Sequence, residues 1–287
     1  MIETSAAIYR KKGKGLLIEK IYLPDPKKDE VIVKIISTGI CHSQLINLSR
    51  DPKNPELLGH EATGIIIKKG KTVKHVSVND KVIVSWMPNF NKSSTKDKSY
   101  YKPVNIFLEK RKIEAFIFTW AEKTLINSQF VTRVPKSSNS DDLSIMGCAG
   151  IAGYGTPYNC VNIKKNQSAI VVGAGGLGNL AINALKNLGC KPVIAIDIDE
   201  KRSPNQILDI CDDNFNEKIK IKPSLICCFE VLEHTKDPQR AIKNIYQILN
   251  KDDYFLVSVP FNFHIHDEPN DFFRFTHYGL KMLFSDF

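Results

Sequence analysis

With 287 residues, 43% of them hydrophobic and 25% charged, the chain is long enough for two domains with separate cores and too apolar to be disordered. Its net charge of +9 would suit a polyanion, yet the 40 basic residues are interleaved with 31 acids. No basic stripe carries stacking aromatics, which argues against a nucleic-acid partner. No apolar run approaches the roughly 20 residues that span a bilayer, and residues 1–11 lack a basic segment followed by an apolar one. The expectation is a cytoplasmic protein with no membrane partner. Seven cysteines, an odd number, fit reduced thiols and metal ligands better than a disulfide framework.

Residues 1–85 read as short strands separated by turns. Residues 31–36 are apolar and β-branched, 64–67 likewise, and 82–84 follow an Asn79-Asp80 turn. A β-rich first domain is expected. Two of its loops carry chemistry: Gly39-Ile40-Cys41-His42-Ser43-Gln44 and Gly59-His60-Glu61-Ala62-Thr63-Gly64. A third candidate stands further on, in Met146-Gly147-Cys148-Ala149-Gly150. Alone, each of these residues reads as a packed core residue. Together, two cysteines and a histidine with an open fourth position form a catalytic zinc pattern. Residues 86–118 contain no cysteine, and 89–99 read as a polar loop.

Residues 169–172 form an apolar run followed by Gly173-Ala174-Gly175-Gly176-Leu177-Gly178, after which Leu177, Leu180, Ala181, Ala184, Leu185 and Leu188 recur at helical spacing. A second apolar strand, within 191–198, carries Asp197 near its end. This is a strand, glycine turn, helix and strand with a closing acid. Gly173 allows the tight turn, Gly175 lets the backbone approach a phosphate, and Gly178 lets helix and strand pack closely. Gly176 and Leu177 complete the cofactor-binding set, where the helix N-terminus favours an anion. Asp197 would accept hydrogen bonds from ribose hydroxyls and repel a 2′-phosphate, favouring NAD over NADP.

Further on, 225–229 is an apolar strand running into Glu230-Val231-Leu232-Glu233-His234. Asp237 can cap, and Pro238 start, a helix with Ala241, Ile242, Ile245, Tyr246 and Leu249 on one face. Residues 254–259 form another buried strand. An aromatic loop over 261–276 carries His264 and His266 on one side, beside Asp267 and Glu268. These residues could suggest a metal site, but with no cysteine accompanying them a substrate-loop or packing role is expected for the histidines. Cys227 and Cys228 read as buried small hydrophobes.

The residues around Cys41, His60 and Cys148, followed by 173–178 and Asp197, resemble the medium-chain zinc-dependent alcohol dehydrogenase family over about residues 5–202. The resemblance implies a GroES-like catalytic domain over 1–145, with 118–122 as its return strand, and the first half of an NAD-binding Rossmann domain over 146–203. It implies one catalytic zinc held by Cys41, His60 and Cys148, and no structural zinc. Ser43 would relay a proton, His42 would continue the relay or contact the cofactor's phosphates, and Glu61 would lie beside the metal. Residues 204–287 resemble instead the C-terminal half of class I S-adenosylmethionine-dependent methyltransferases, through 230–234, Asp237-Pro238, Val259-Pro260 and Asp271-Phe272-Phe273-Arg274-Phe275-Thr276. That family's own glycine turn is missing from 207–214.

Both parent folds are doubly wound α/β sheets that bind an adenosine nucleotide at the same switch point. A hybrid sheet is therefore expected, with 169–202 supplying its first two strands, the tail its later ones, and the helix at 238–249 covering a face. The function expected is hydride transfer between a small alcohol or aldehyde and NAD. The alternatives are a methyltransferase-like protein using the glycine turn for S-adenosylmethionine, and an inactive fusion of two enzyme fragments. A homo-oligomer is left open.

Overall fold

The computed structural model describes residues 1–89 and 102–287. The polar loop expected over 89–99 lies, beyond Asn89, outside the described residues. Within them the chain divides into two units, Met1–Cys148 and Ala149–Phe287.

In the first unit the strands are β1 (Ile2–Tyr9), β2 (Leu16–Leu23), β3 (Glu30–Thr38), β4 (Glu56–Leu57), β5 (Ala62–Lys69), β6 (Lys81–Val84), β7 (Val104–Leu108), β8 (Arg111–Ala115), β9 (Lys123–Asn127) and β10 (Val131–Arg133). Two short helices, α1 (His42–Leu48) and α2 (Ser140–Ser144), join them. The strands form two five-stranded sheets, β4-β1-β2-β7-β8 and β10-β6-β5-β3-β9. Successive side chains of a strand point to opposite faces, and β3 uses this to serve two cores. Val31 and Val33 pack with Ile66, Val82, Val84 and Val131, whereas Ile32 packs with Ile8, Ile21 and Ile106.

The return strand begins later than 118–122, at Lys123. The preceding residues use their backbone elsewhere. Thr119 and Trp120 donate their N–H groups to the Leu58 carbonyl, and Ala121 makes an isolated bridge to Ala6. This ties the segment to the loop that carries His60.

The second unit opens with a π-helical turn, Gly150–Gly155, and α3 (Thr156–Cys160). Then follow β11 (Ala169–Val172), α4 (Gly176–Asn187), β12 (Val193–Asp197), β13 (Gln206–Ile207), α5 (Phe215–Lys218), β14 (Leu225–Phe229), α6 (Pro238–Ile248), β15 (Tyr254–Ser258) and α7 (His277–Leu283). All pairings are parallel, in the order β13-β12-β11-β14-β15. The tail thus continues the sheet that the glycine turn begins. Every residue of β11 and β14 is buried, as expected of parallel strands covered on both faces. Ala169, Val171 and Cys227 pack under Ala181 and Leu185 of α4, while Ile170, Val172 and Cys228 pack under Ala241, Ile242 and Ile245 of α6.

The Asp237 side chain caps α6 by accepting from the Arg240 N–H, with Pro238 in the first turn. Tyr246 departs from the expected apolar face. It is 45% exposed and lies with its ring edge-on to Phe287 at 5.2 Å, because Tyr246 sits at the margin of the stripe that Ala241, Ile242 and Ile245 bury. Among the described residues no helix is long and apolar enough to cross a membrane.

Candidate metal and nucleotide sites

Three loops of the first unit converge. Cys41 stands just before α1, after β3; His60 and Glu61 enter β5; Cys148 follows α2. The Ser85 hydroxyl, beyond β6, donates to the Gly147 carbonyl at 2.7 Å and fixes the third loop. Cys148 Sγ lies 3.9 Å from Cys41 Sγ and 3.3 Å from His60 Nε2. Two sulfurs bound to one tetrahedral zinc at about 2.3 Å stand roughly 3.8 Å apart, so this donor set fits the ion. Glu61, 2% exposed, brings a carboxylate to the same cluster, all ligand atoms lying within 4.8 Å of one another. Ser43 donates to Cys41 Sγ at 3.3 Å, and His42 is exposed at the start of α1.

These contacts form a directed chain. Hydrogen bonds from Cys148, then from His60 and Ser43, hold the Cys41 thiol well below its ordinary range. Cys148, which donates to Cys41 and is buried, is pushed up. Of the two sulfurs, Cys41 is thus the more acidic and Cys148 the less. A bound cation would displace the thiol protons.

Gln44 stands three residues after Cys41 in the same motif, and its residue type alone announces no role. Gln44 is buried, its Oε1 accepts from the Gly59 N–H at 2.6 Å, and its Nε2 faces His60 Nδ1 at 3.1 Å. With the amide oxygen committed to Gly59, the amide nitrogen donates to Nδ1, so Nε2 carries the ring proton. Metal binding at Nε2 needs the opposite tautomer, with Nδ1–H donating to an acceptor. A carboxylate would accept from both neighbours. Gln44→Glu is accordingly expected to raise zinc affinity by about tenfold, measured by competition with a chelator; equal or weaker retention would contradict the tautomer argument.

In the second unit, Gly173 closes β11 with φ +86°, a conformation that favours glycine. A Cβ at Gly178 would meet the Gly173 carbonyl oxygen at 1.8 Å, so the first turn of α4 sits directly on the glycine turn. Asp197, 9% exposed at the end of β12, accepts from the Ala174 N–H at 2.7 Å and the Asp199 N–H at 2.9 Å. Gly175, Gly176 and Leu177 complete the turn at the start of α4. Arg202, unassigned by sequence reasoning, has Nη1 4.0 Å from Asp197 Oδ2 and 2.6 Å from where a Gly175 Cβ would stand. A guanidinium thus overhangs the turn.

The family model described as the alcohol dehydrogenase GroES-like domain matches residues 27–136, and the model described as a methyltransferase domain matches 164–283. The chain resembles alcohol dehydrogenases joined to a methyltransferase segment. An alcohol dehydrogenase of Moraxella sp. strain TAE123 is 29% identical over 203 residues, which is 69% of this chain and 59% of that protein. The chain therefore spans less than two thirds of that relative's length. The fold is that of benzyl alcohol dehydrogenase from Acinetobacter calcoaceticus, with TM-score 0.72 and 23% identity over 94% of this chain and 81% of that one. It is also that of an alcohol dehydrogenase zinc-binding domain protein from Burkholderia ambifaria, with TM-score 0.74 and 21% identity over 90% and 78%.

The dehydrogenase fold thus continues through the tail that resembles methyltransferases in sequence. The methyltransferase match also takes in the glycine turn at 173–178. One stretch satisfies both likenesses because both need the same strand, glycine turn, helix and closing acid.

Proposed function

We propose that the chain is a zinc-dependent oxidoreductase that transfers a hydride between an alcohol or aldehyde and NAD. The observation that carries this reading is the convergence of Cys41, His60 and Cys148 from three separate loops, at spacings that suit a tetrahedral ion. On this reading the domains are 1–145 for the metal, 146–203 for the first half of the nucleotide fold, and 204–287 for its completion. Cys41, His60 and Cys148 would hold a single zinc, with Glu61 beside it. The metal would supply Lewis-acid polarisation of the substrate's oxygen.

The protein's own groups do the rest. Ser43, whose hydroxyl already reaches Cys41 Sγ at 3.3 Å, takes the alcohol proton, and the exposed His42 next to it passes the proton to water. Gly173, Gly175, Gly176, Leu177 and Gly178 present backbone to the cofactor's diphosphate, and Asp197 accepts from ribose hydroxyls. Arg202 offsets part of the repulsion Asp197 would exert on a 2′-phosphate, so preference for NAD over NADP is expected to be modest.

One observation favours a second reading. The methyltransferase match includes the glycine turn as well as the tail, so S-adenosylmethionine is the competing occupant of that turn. This alternative leaves Cys41, His60 and Cys148 without a task. Titrating zinc-loaded protein calorimetrically with NADH, NADPH and S-adenosylmethionine separates the two. Micromolar NADH binding supports the oxidoreductase, and binding of S-adenosylmethionine alone transfers the function to the tail.

A further inference from the structure

We propose that the second unit holds its own divalent transition-metal site, formed by Glu233, His234 and His266 at the C-terminal rim of the parallel sheet. The metal site does not depend on the zinc reading of the first unit, because none of its ligands is shared; only the ligand class drawn from its position rests on the nucleotide reading of the glycine turn.

Glu233 is the starting observation. It follows β14, is 0% exposed, and neither carboxylate oxygen has a hydrogen-bond partner. A buried carboxylate in that state needs a proton or a cation. The nearest guanidinium is already committed: Arg274 grips Asp271 with two nitrogens, at 2.5 and 2.6 Å.

The neighbouring imidazoles are arranged as ligands. His234 Nδ1 lies 2.8 Å from the Asn270 carbonyl oxygen, which can only accept, so Nδ1 carries the proton. In the neutral ring Nε2 then presents a lone pair, and it faces Glu233 Oε1 at 3.7 Å. Two acceptors facing each other repel unless a proton or a cation stands between them. His266 repeats the pattern. Its Nδ1 lies 3.1 Å from Asp271 Oδ2 and 3.3 Å from the His264 carbonyl oxygen, with Arg274 Nη2 also at 3.3 Å; the two acceptors favour the proton on Nδ1, which leaves Nε2 as the basic nitrogen of the neutral ring. Its ring packs edge-on against His234 with centroids 4.9 Å apart.

One ligand atom from each of Glu233, His234 and His266 lies within 4.8 Å of the others. Metal–ligand bonds of about 2.0–2.2 Å require somewhat closer approach, which rotation of the two partly exposed imidazoles supplies. Each ring donates its other nitrogen to a carbonyl or carboxylate, the arrangement that orients metal-binding histidines. Two imidazoles and one carboxylate suit Zn²⁺, Co²⁺, Mn²⁺ or Fe²⁺ and leave positions for water or a substrate oxygen.

The position suggests what such an oxygen would belong to. Val231, in the same loop, has Cγ2 2.7 Å from where a Gly173 Cβ would stand, so the cluster adjoins the nucleotide turn at the strand ends where ligands of such sheets bind. The ligand class is a small molecule with a hydroxyl or carboxylate that chelates beside the nucleotide.

The test uses the full chain carrying Cys41→Ala and Cys148→Ala, which removes the thiolates of the first unit. Titrated with Co²⁺, this protein is expected to take up one equivalent, with d–d absorption and no thiolate-to-cobalt charge transfer. Adding Glu233→Gln, which keeps the side chain's shape, is expected to abolish that equivalent, and His266→Ala to weaken it at least tenfold. Failure of the double-cysteine variant to bind cobalt, or full retention in either added variant, overturns the proposal. Loss of the charge-transfer band in the unaltered chain would instead count against the first unit's metal, so the two failures are distinguishable.

Discussion

Cys148→Ala is expected to remove one zinc equivalent and to reduce alcohol-dependent NAD reduction by about a thousandfold or more, since Lewis-acid stabilisation of a developing oxyanion supplies several kcal/mol. The fold should survive. The loop is fixed through its backbone, by the Ser85 hydroxyl on the Gly147 carbonyl, and the cysteine side chain is not part of either apolar core. The loss should therefore appear as missing metal with the melting temperature of the unaltered chain stripped of its metal. Because the second unit offers a separate oxygen–nitrogen cluster, the decisive readout is the thiolate-to-cobalt charge-transfer band of the cobalt-loaded protein. Persistence of that band at full intensity in Cys148→Ala would remove this cysteine from the metal site.

Gly178→Ala is expected to break the nucleotide turn. An added methyl group would sit 1.8 Å from the Gly173 carbonyl oxygen, a backbone atom that cannot rotate away. The start of α4 must then lift from β11, where Gly173 already occupies positive φ. Overpacking of this kind costs about 1–3 kcal/mol, read as a lower thermal midpoint. Displaced amides should weaken nucleotide binding on the order of a hundredfold. A nearby control is Gly176→Ala, where a Cβ meets nothing within 4 Å, and which should remain stable. Equal behaviour of the two variants would show that the close approach at Gly178 is unimportant.

Much of this architecture is legible in the sequence for simple reasons. The strands at 169–172 and 225–229 are unbroken apolar runs, and the structure gives them those bounds because parallel strands bury both faces. The helix at 238 announces its cap and proline. The three metal-ligand candidates stand out through residue type and turn glycines, and their side chains do meet.

What the sequence hides lies in contacts between distant segments. Gln44 looks like any polar residue of a short helix until Gly59 and His60 fold against it. His266 reads as a loop histidine because nothing in its own neighbourhood mentions Glu233, which it meets only once the aromatic loop folds back on the end of β14, where Phe272 and Phe273 donate their N–H groups to the Glu233 carbonyl. The late start of β9 was hidden for a related reason. Residues 118–122 have strand-like composition, but the N–H groups of Thr119 and Trp120 are taken by the carbonyl of Leu58 and that of Glu122 by Ser5.

The most direct measurement is an alcohol-dependent NAD assay. Zinc-loaded protein is incubated with NAD and a panel of aliphatic and aromatic primary alcohols, and NADH is followed by absorbance. The account predicts NADH formation with at least one alcohol, dependent on zinc and reversed by the matching aldehyde. No NADH with any alcohol from protein that carries its zinc and binds NADH would contradict it.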